Sequence, residues 1–237
     1  MTSFQSITSI SFDCYGTLID WETGICNALA PWVARTGRTL PDEDALRAFA
    51  AAEPAAEEAN PTALYRDILR DVMRRLAANF DESCDVDDED RLANSVGEWP
   101  AFDDTAPSLK RLARRCRLFI LSNVDQQSID GTLPKLGVAF TNVITAEAVG
   151  AYKPDQRMFD ALLATLEEHG IDRAHHLHAA QSLYHDIAPA QRLGLRTCWV
   201  DRRAGRDGGA TPPPPEGVSP DVVVPNLASL ADMFDIA

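Results

Sequence analysis

Ser11-Phe12-Asp13-Cys14-Tyr15-Gly16-Thr17-Leu18-Ile19-Asp20 follows directly on the apolar run Ile7 to Phe12. The run is short and close to continuously apolar, as a parallel strand buried on both faces should be. Asp13 therefore stands at the carboxyl end of a strand, the edge at which open α/β sheets bind their ligands. Gly16 permits a tight backbone turn just beyond it. An Asp and a Gly in this place also suit an ordinary turn, so the stretch has to be weighed with the rest of the chain.

Outward from it, similar runs recur at Leu118 to Leu121, Val143 to Thr145, His176 to Ala179, Thr197 to Val200 and Val222 to Val224. Helical patterns separate them at Pro107 to Arg115, Gln126 to Leu136, Gln156 to His169 and Ile187 to Leu193. Strand and helix in alternation predict a parallel sheet covered on both faces. The stretch from about Leu40 to Val96 breaks the rhythm. It is rich in Ala, Glu, Arg and Leu, and Leu64, Ile68, Leu69, Val72 and Leu76 recur at helical spacing. Pro41, Pro54 and Pro61 mark helix starts or breaks. The expected organisation is an α/β, Rossmann-like parallel-sheet core from residues 1–20 and 97–237, with an inserted α-helical cap of about four helices at 21–96. The acidic run Asp81 to Asp90 reads as a solvated loop or helix start, and Gly205 to Pro220, with Pro212 to Pro215, as a surface connector.

Three more stretches end strands in polar residues. Ser122 and Asn123 follow Phe119-Ile120-Leu121 and can bind carboxylate or phosphate oxygens, although such residues equally cap helices. In Ala151-Tyr152-Lys153-Pro154-Asp155, Pro154 is expected at a first helical position with Lys153 just before it, where a lysine can keep a nearby carboxylate ionised. His178-Ala179-Ala180-Gln181-Ser182-Leu183-Tyr184-His185-Asp186 ends a later strand, with Asp186 opening a helix as a cap or an acid–base group. All four stretches fall after strands, at spacings that one sheet edge can bring together.

Composition excludes several classes of function. The 237 residues carry a net charge of −14, which repels nucleic acid and anionic membrane surfaces. No apolar run is long enough to span a bilayer, and no signal peptide is visible, so a cytoplasmic protein is expected. The five cysteines are scattered without a CxxC pair and read as reduced thiols. His176 and His178 share one face of a strand while His175 points away, and no zinc-like spacing accompanies them. Cys14 has no evident base to activate it. Trp21, Trp32 and Trp99 read as packing.

Over nearly its full length the chain resembles the haloacid dehalogenase superfamily, and its Asp13-Cys14-Tyr15-Gly16-Thr17, Ser122-Asn123 and Tyr152-Lys153-Pro154-Asp155 forms resemble the L-2-haloacid dehalogenase branch. Phosphatases of the superfamily carry an aspartate where Tyr15 stands and a magnesium-holding aspartate where Gln181 stands. A neutral amide is a poor magnesium ligand, and halide, unlike an alkoxide, leaves without a proton. The resemblance implies that Asp13 attacks C2 of a small 2-haloacid and that water then hydrolyses the aspartyl ester to a 2-hydroxy acid. Lys153 and Asp186 would support Asp13 and the water. Tyr15, Ser122, Asn123 and Ser182 would contact substrate, and a cap arginine would meet the halide, with Arg47 the nearest candidate and Arg66 and Arg70 its rivals. It implies no metal, no cofactor, a small anionic organic acid as partner, and a homodimer. Gln181 and Leu183 stand near positions where that branch places Ser and Asn. Other readings are a hydrolase opening a strained cyclic acid at a C–N bond, a phosphatase with an atypical magnesium site, and a member that binds without turnover.

Overall fold

The computed structural model describes residues 4–206, 209–213 and 215–235. Six parallel strands form one sheet in the order β3-β2-β1-β4-β5-β6. They are β1 Ser9–Phe12, β2 Arg117–Ser122, β3 Asn142–Thr145, β4 His176–Ala180, β5 Arg196–Val200 and β6 Val222–Val224. The strand order turns at β1, so the carboxyl ends of β1, β2 and β4 meet at the switch point where such sheets open a crevice. The central strands are buried throughout, with Ile10, Phe12, Leu177 and Ala179 on one face and the buried polar residues Ser9, Ser11, His176 and His178 on the other.

The helices of the core are α5 Thr105–Leu112, α6 Gln126–Leu136, α7 Ala146–Val149, α8 Gln156–Glu168, α9 Ala188–Arg192 and, after the last strand, α10 Leu227–Asp235. Between β1 and α5 lie four further helices: α1 Trp21–Thr36, α2 Asp42–Ala59, α3 Tyr65–Asn79 and α4 Val86–Ala93. These make the expected helical layer over the strand ends. The acidic run ends in α4, whose start is a capping box between Asp85 and Asp88. Arg35 pairs with Asp88, tying α1 to that start. Of the expected connector at Gly205 to Pro220, residues 207, 208 and 214 lie outside the described residues. Pro154 is not the first residue of α8. That helix begins at Gln156 with Asp155 as its N-cap, its carboxylate accepting from the Arg157 amide, so Pro154 stiffens the loop that presents Lys153.

Each cap helix buries one stripe. In α2 the buried positions are Ala45, Leu46, Phe49, Ala52, Glu53, Ala56 and Glu57, the spacing of one helical face. The stripe faces inward, so two glutamates accompany the apolar residues into the interior. Tyr152 Oη donates to the Ala63 carbonyl at 2.7 Å, and the Arg66 amide donates to Asp125 Oδ2 at 3.1 Å, joining the cap to the loops of the core.

Trp99 closes over α1 so tightly that a Cβ added at Gly24 would lie 2.2 Å from its Cγ. Both residues are buried, so neither can swing into solvent. Gly24→Ala is expected to destabilise the fold by about 1–3 kcal/mol through overpacking, despite the better helix propensity of alanine. The check is the urea midpoint at unchanged slope.

Candidate active site

Asp13 leaves the end of β1 buried, with 7% exposure, and both of its oxygens accept hydrogen bonds. Lys153 Nζ donates to Oδ1 at 2.8 Å and Thr17 Oγ1 to Oδ2 at 2.7 Å. That is the bonding pattern of an ionised carboxylate. Gly16, at φ +90°, makes the turn that brings Thr17 back over Asp13. A side chain at Gly16 would also meet Trp21 Nε1 at 3.0 Å. Thr17 Oγ1 is fixed in turn by the Gln181 amide at 2.9 Å.

Lys153 is 2% exposed, and its three donors are all placed: Asp13 Oδ1, Asp186 Oδ1 at 2.7 Å and the Leu121 carbonyl at 2.9 Å. Burial disfavours its charge, but Asp13 and Asp186 outweigh that and hold the ammonium protonated well above its ordinary range. Burial likewise opposes ionisation of Asp186, and the contacts with Lys153 and His178 prevail, so its carboxyl titrates below the usual value. For Asp13 burial dominates and the shift is upward, against Lys153 and Thr17. A carboxylate that accepts two hydrogen bonds yet is poorly solvated has the features that suit a nucleophile.

The other expected site residues fall in several places. Ser122 and Asn123 end β2 beside Asp13. The Ser122 hydroxyl is buried and has no partner among the described residues, so it is free to bind a ligand oxygen. Asn123 instead clamps the Lys153 backbone: its Nδ2 donates to the Lys153 carbonyl at 3.0 Å and its Oδ1 accepts from the amide at 2.6 Å. Tyr15 presents its ring to the pocket, while its hydroxyl turns away to Thr132 at 2.8 Å. The Ser182 hydroxyl accepts from the His185 amide at 2.9 Å and so caps the turn that carries Asp186. That turn, Leu183–Ile187, is a π-helical one, so Asp186 lies inside it instead of opening a helix. Arg47 is not brought to the site. It follows Leu46 on the outer side of α2, its side chain is 59% exposed, and it faces Asp44 at 3.6 Å.

Two arrangements escaped the sequence reading, which placed His176 and His178 on one strand face but gave them no partners. One is a buried column beneath the site. Ser9 Oγ meets His176 Nδ1, His176 Nε2 meets Ser11 Oγ, and Ser11 Oγ meets His178 Nδ1, each at 2.8 Å. His178 Nε2 then reaches Asp186 Oδ1 at 3.1 Å. Alternation of Ser9 and Ser11 opposite His176 and His178 was the available signal, since both pairs share a face. Burial drives His176 down to about 3, which keeps it neutral. The other is Glu53, with Tyr65, in the pocket wall opposite Asp13.

The pocket holds about 40 Å³ and is lined by Asp13, Tyr15, Trp21, Glu53, Tyr65 and Ser122, among others. A larger cavity of about 380 Å³ adjoins it past Trp21 and Gln181. The donor set does not suit magnesium. Lys153 occupies the place between Asp13 and Asp186, and the Gln181 Oε1 accepts from Thr211 at 2.9 Å.

Residues 7–194 match the family model of the haloacid dehalogenase-like hydrolases. The chain belongs to that family. Among curated relatives, the (S)-2-haloacid dehalogenase of Pseudomonas sp. (strain YL) is 28% identical over 98% of this chain and 96% of its own. The (S)-2-haloacid dehalogenase H-109 of Pseudomonas putida is 28% identical over 88% of this chain and 92% of its own. The fold of this haloacid dehalogenase-like hydrolase is shared with the L-2-haloacid dehalogenase from Xanthobacter autotrophicus, at TM-score 0.75 and 19% identity over 97% and 98% of the two chains. It is shared too with a defluorinating L-2-haloacid dehalogenase, at TM-score 0.78 and 20% identity over 99% of each.

Proposed function

We propose that this hydrolase displaces halide from a small (S)-2-haloalkanoic acid through an aspartyl ester on Asp13, giving the 2-hydroxy acid of inverted configuration. One observation carries the reading: Lys153 bridges Asp13 and Asp186 in a pocket whose wall has Tyr15, and no carboxylic acid, two residues beyond the nucleophile. The names of the curated relatives support it. So does the pocket's size, since about 10–15 Å³ of such space holds one water and the cavity suits an acid of a few heavy atoms.

Asp13 attacks C2 from the side opposite the halogen, and the C–X bond breaks with its electron pair on the halide. Ser122 Oγ, the free donor beside Asp13, holds a substrate carboxylate oxygen. Lys153 withdraws charge from the resulting ester, and water adds at the Asp13 carbonyl carbon. Asp186 Oδ2 has no partner among the described residues and accepts the proton of that water. The five cysteines are all unpaired, in keeping with a cytoplasmic enzyme.

The experiment is halide release from each enantiomer of 2-chloropropionate with EDTA present. Release from the S form alone, undiminished by the chelator, is expected. No release from either form, with turnover of phosphate esters on adding magnesium, would overturn the reading.

A further inference from the structure

A 2-haloacid brings one negative charge into the pocket and sheds a second as halide, yet the pocket offers no uncommitted cation among the described residues. Its one ammonium, Lys153, already serves Asp13, Asp186 and the Leu121 carbonyl. His185 is pushed down to about 4 by burial and is neutral. In the adjoining cavity Arg202 is bound to Asp104, Arg203 to Glu22 and Glu43, and Arg206 donates from Nε to the Arg203 carbonyl at 3.1 Å. Arg47 lies outside altogether.

What the cap does supply is Glu53, 5% exposed on the inward stripe of α2. Tyr65 Oη donates to its Oε1 at 2.5 Å, and its Oε2 has no hydrogen-bond partner among the described residues. As a carboxylate it would face Asp13 and an anionic substrate across a small pocket. As a carboxylic acid it carries a donor on the inward face of α2. Burial lifts it to about 7, against the bond from Tyr65 and with help from Asp13. Other charged or titratable groups bear on the same space. Glu57, one turn along α2, is pushed well up by burial and by Glu53, and Tyr152, Lys153, His185 and Asp186 complete the surroundings.

We propose that Glu53, in its protonated form, is the cap group that hydrogen-bonds the anionic end of the substrate, its carboxylate or its departing halide, so that binding is linked to a proton held on the enzyme. The proposal rests on the dehalogenase reading and names the group that would otherwise be missing from it. The Glu53 proton stays on Glu53 throughout. Asp13 oxygen bonds to C2, halide leaves with the bonding pair, and hydrolysis of the ester then consumes one water and releases one proton.

A group that is neutral when competent, with its folded value near 7, is active below that value and lost above it. The test is kcat/KM for (S)-2-chloropropionate from pH 5.5 to 9. In the wild type it is expected to fall about tenfold per pH unit on the alkaline side, since one deprotonation removes the competent form. Glu53→Gln keeps an N–H donor that does not titrate, so its profile should be flat and cross above the wild type near pH 8.5. Tyr65→Phe removes a bond that favours the carboxylate, and should move the alkaline limb upward. Matching bromo and chloro substrates separates the two ends. An effect on KM shared by both marks the carboxylate, and a halogen-dependent effect on kcat marks the halide.

An unchanged profile in folded Glu53→Gln would overturn the proposal, as would a limb that stays in place in Tyr65→Phe. So would a loss of a hundredfold or more at every pH in the glutamine variant, which would show that the carboxylate is the working form. Calorimetry of D-lactate binding at pH 8, in two buffers of different ionisation enthalpy, reads the same proton without turnover. Uptake approaching one proton is expected in the wild type and none in Glu53→Gln. Halide release without proton uptake sinks the proposal alone. Absence of both halide release and lactate binding sinks the dehalogenase reading and the proposal with it.

Discussion

Asp13→Asn is expected to abolish halide release, lowering kcat by at least about 10⁴-fold, the scale on which removal of a covalent nucleophile reads out. The substitution keeps the size of the side chain and the bond that Thr17 donates to one oxygen. It removes the negative charge that must attack C2, and turns a donor toward Lys153 Nζ where an acceptor stood. Thermal stability should change far less than activity, because the acceptor bonds from Leu121 and Asp186 still hold the ammonium. Chloride-electrode assays with a melting curve on the same sample separate the two. Residual turnover above about one hundredth of wild type would show that Asp13 is a binding group and that water is the direct nucleophile.

Lys153→Met has the larger effect on the fold. It leaves Asp13 and Asp186 buried without the cation between them, and uncompensated buried charge of this kind costs about 3–5 kcal/mol. The pH dependence follows from the sign of the shifts. In the wild type the depressed Asp186 contributes stability above its unfolded value, and that contribution is lost as pH falls. In the variant that contribution is gone, and either carboxyl relieves the repulsion by taking a proton. The gap between variant and wild type should therefore be widest near pH 8 and narrow toward pH 4. Urea denaturation at those two pH values checks it, and a gap that does not change with pH would refute the account. Lys153→Arg should not restore activity, since a planar guanidinium cannot point three donors at Asp13, Asp186 and the Leu121 carbonyl.

The strand-and-helix rhythm was legible because parallel strands buried on both faces are mostly apolar, and Asp13, Ser122, Lys153 and Asp186 were legible because each lies at or beyond the carboxyl end of such a strand. What each polar atom does there was not. Tyr15 and Ser182 look like ligands in one dimension, and only the fold shows their hydroxyls turned to Thr132 and to the His185 turn. Arg47 was expected at the halide because the branch that the chain resembles has a cap arginine there and Arg47 was the nearest candidate. The face of α2 was decided instead by Leu46, Phe49, Ala52 and Ala56, and that rotation carries Arg47 outward and Glu53 inward. In a helix rich in Ala and Glu, acids read as solvent-facing. The clue lay in the phase, for Glu53 and Glu57 continue the apolar stripe.

The Ser9–His176–Ser11–His178 column has a consequence for how the chain assembles. β1 and β4 are 167 residues apart at their Ser9 and His176 pairing, with no tight turn to set how they align. Sliding one past the other by a single residue would invert which side chains face each other and strand four polar groups in an apolar layer. At about 1–3 kcal/mol for each orphaned group, the misaligned sheet forfeits much of a domain's net stability. The column thus works as a key cut for one lock: it lets the two halves of the sheet close in a single alignment, the one that sets Asp186 beside Lys153.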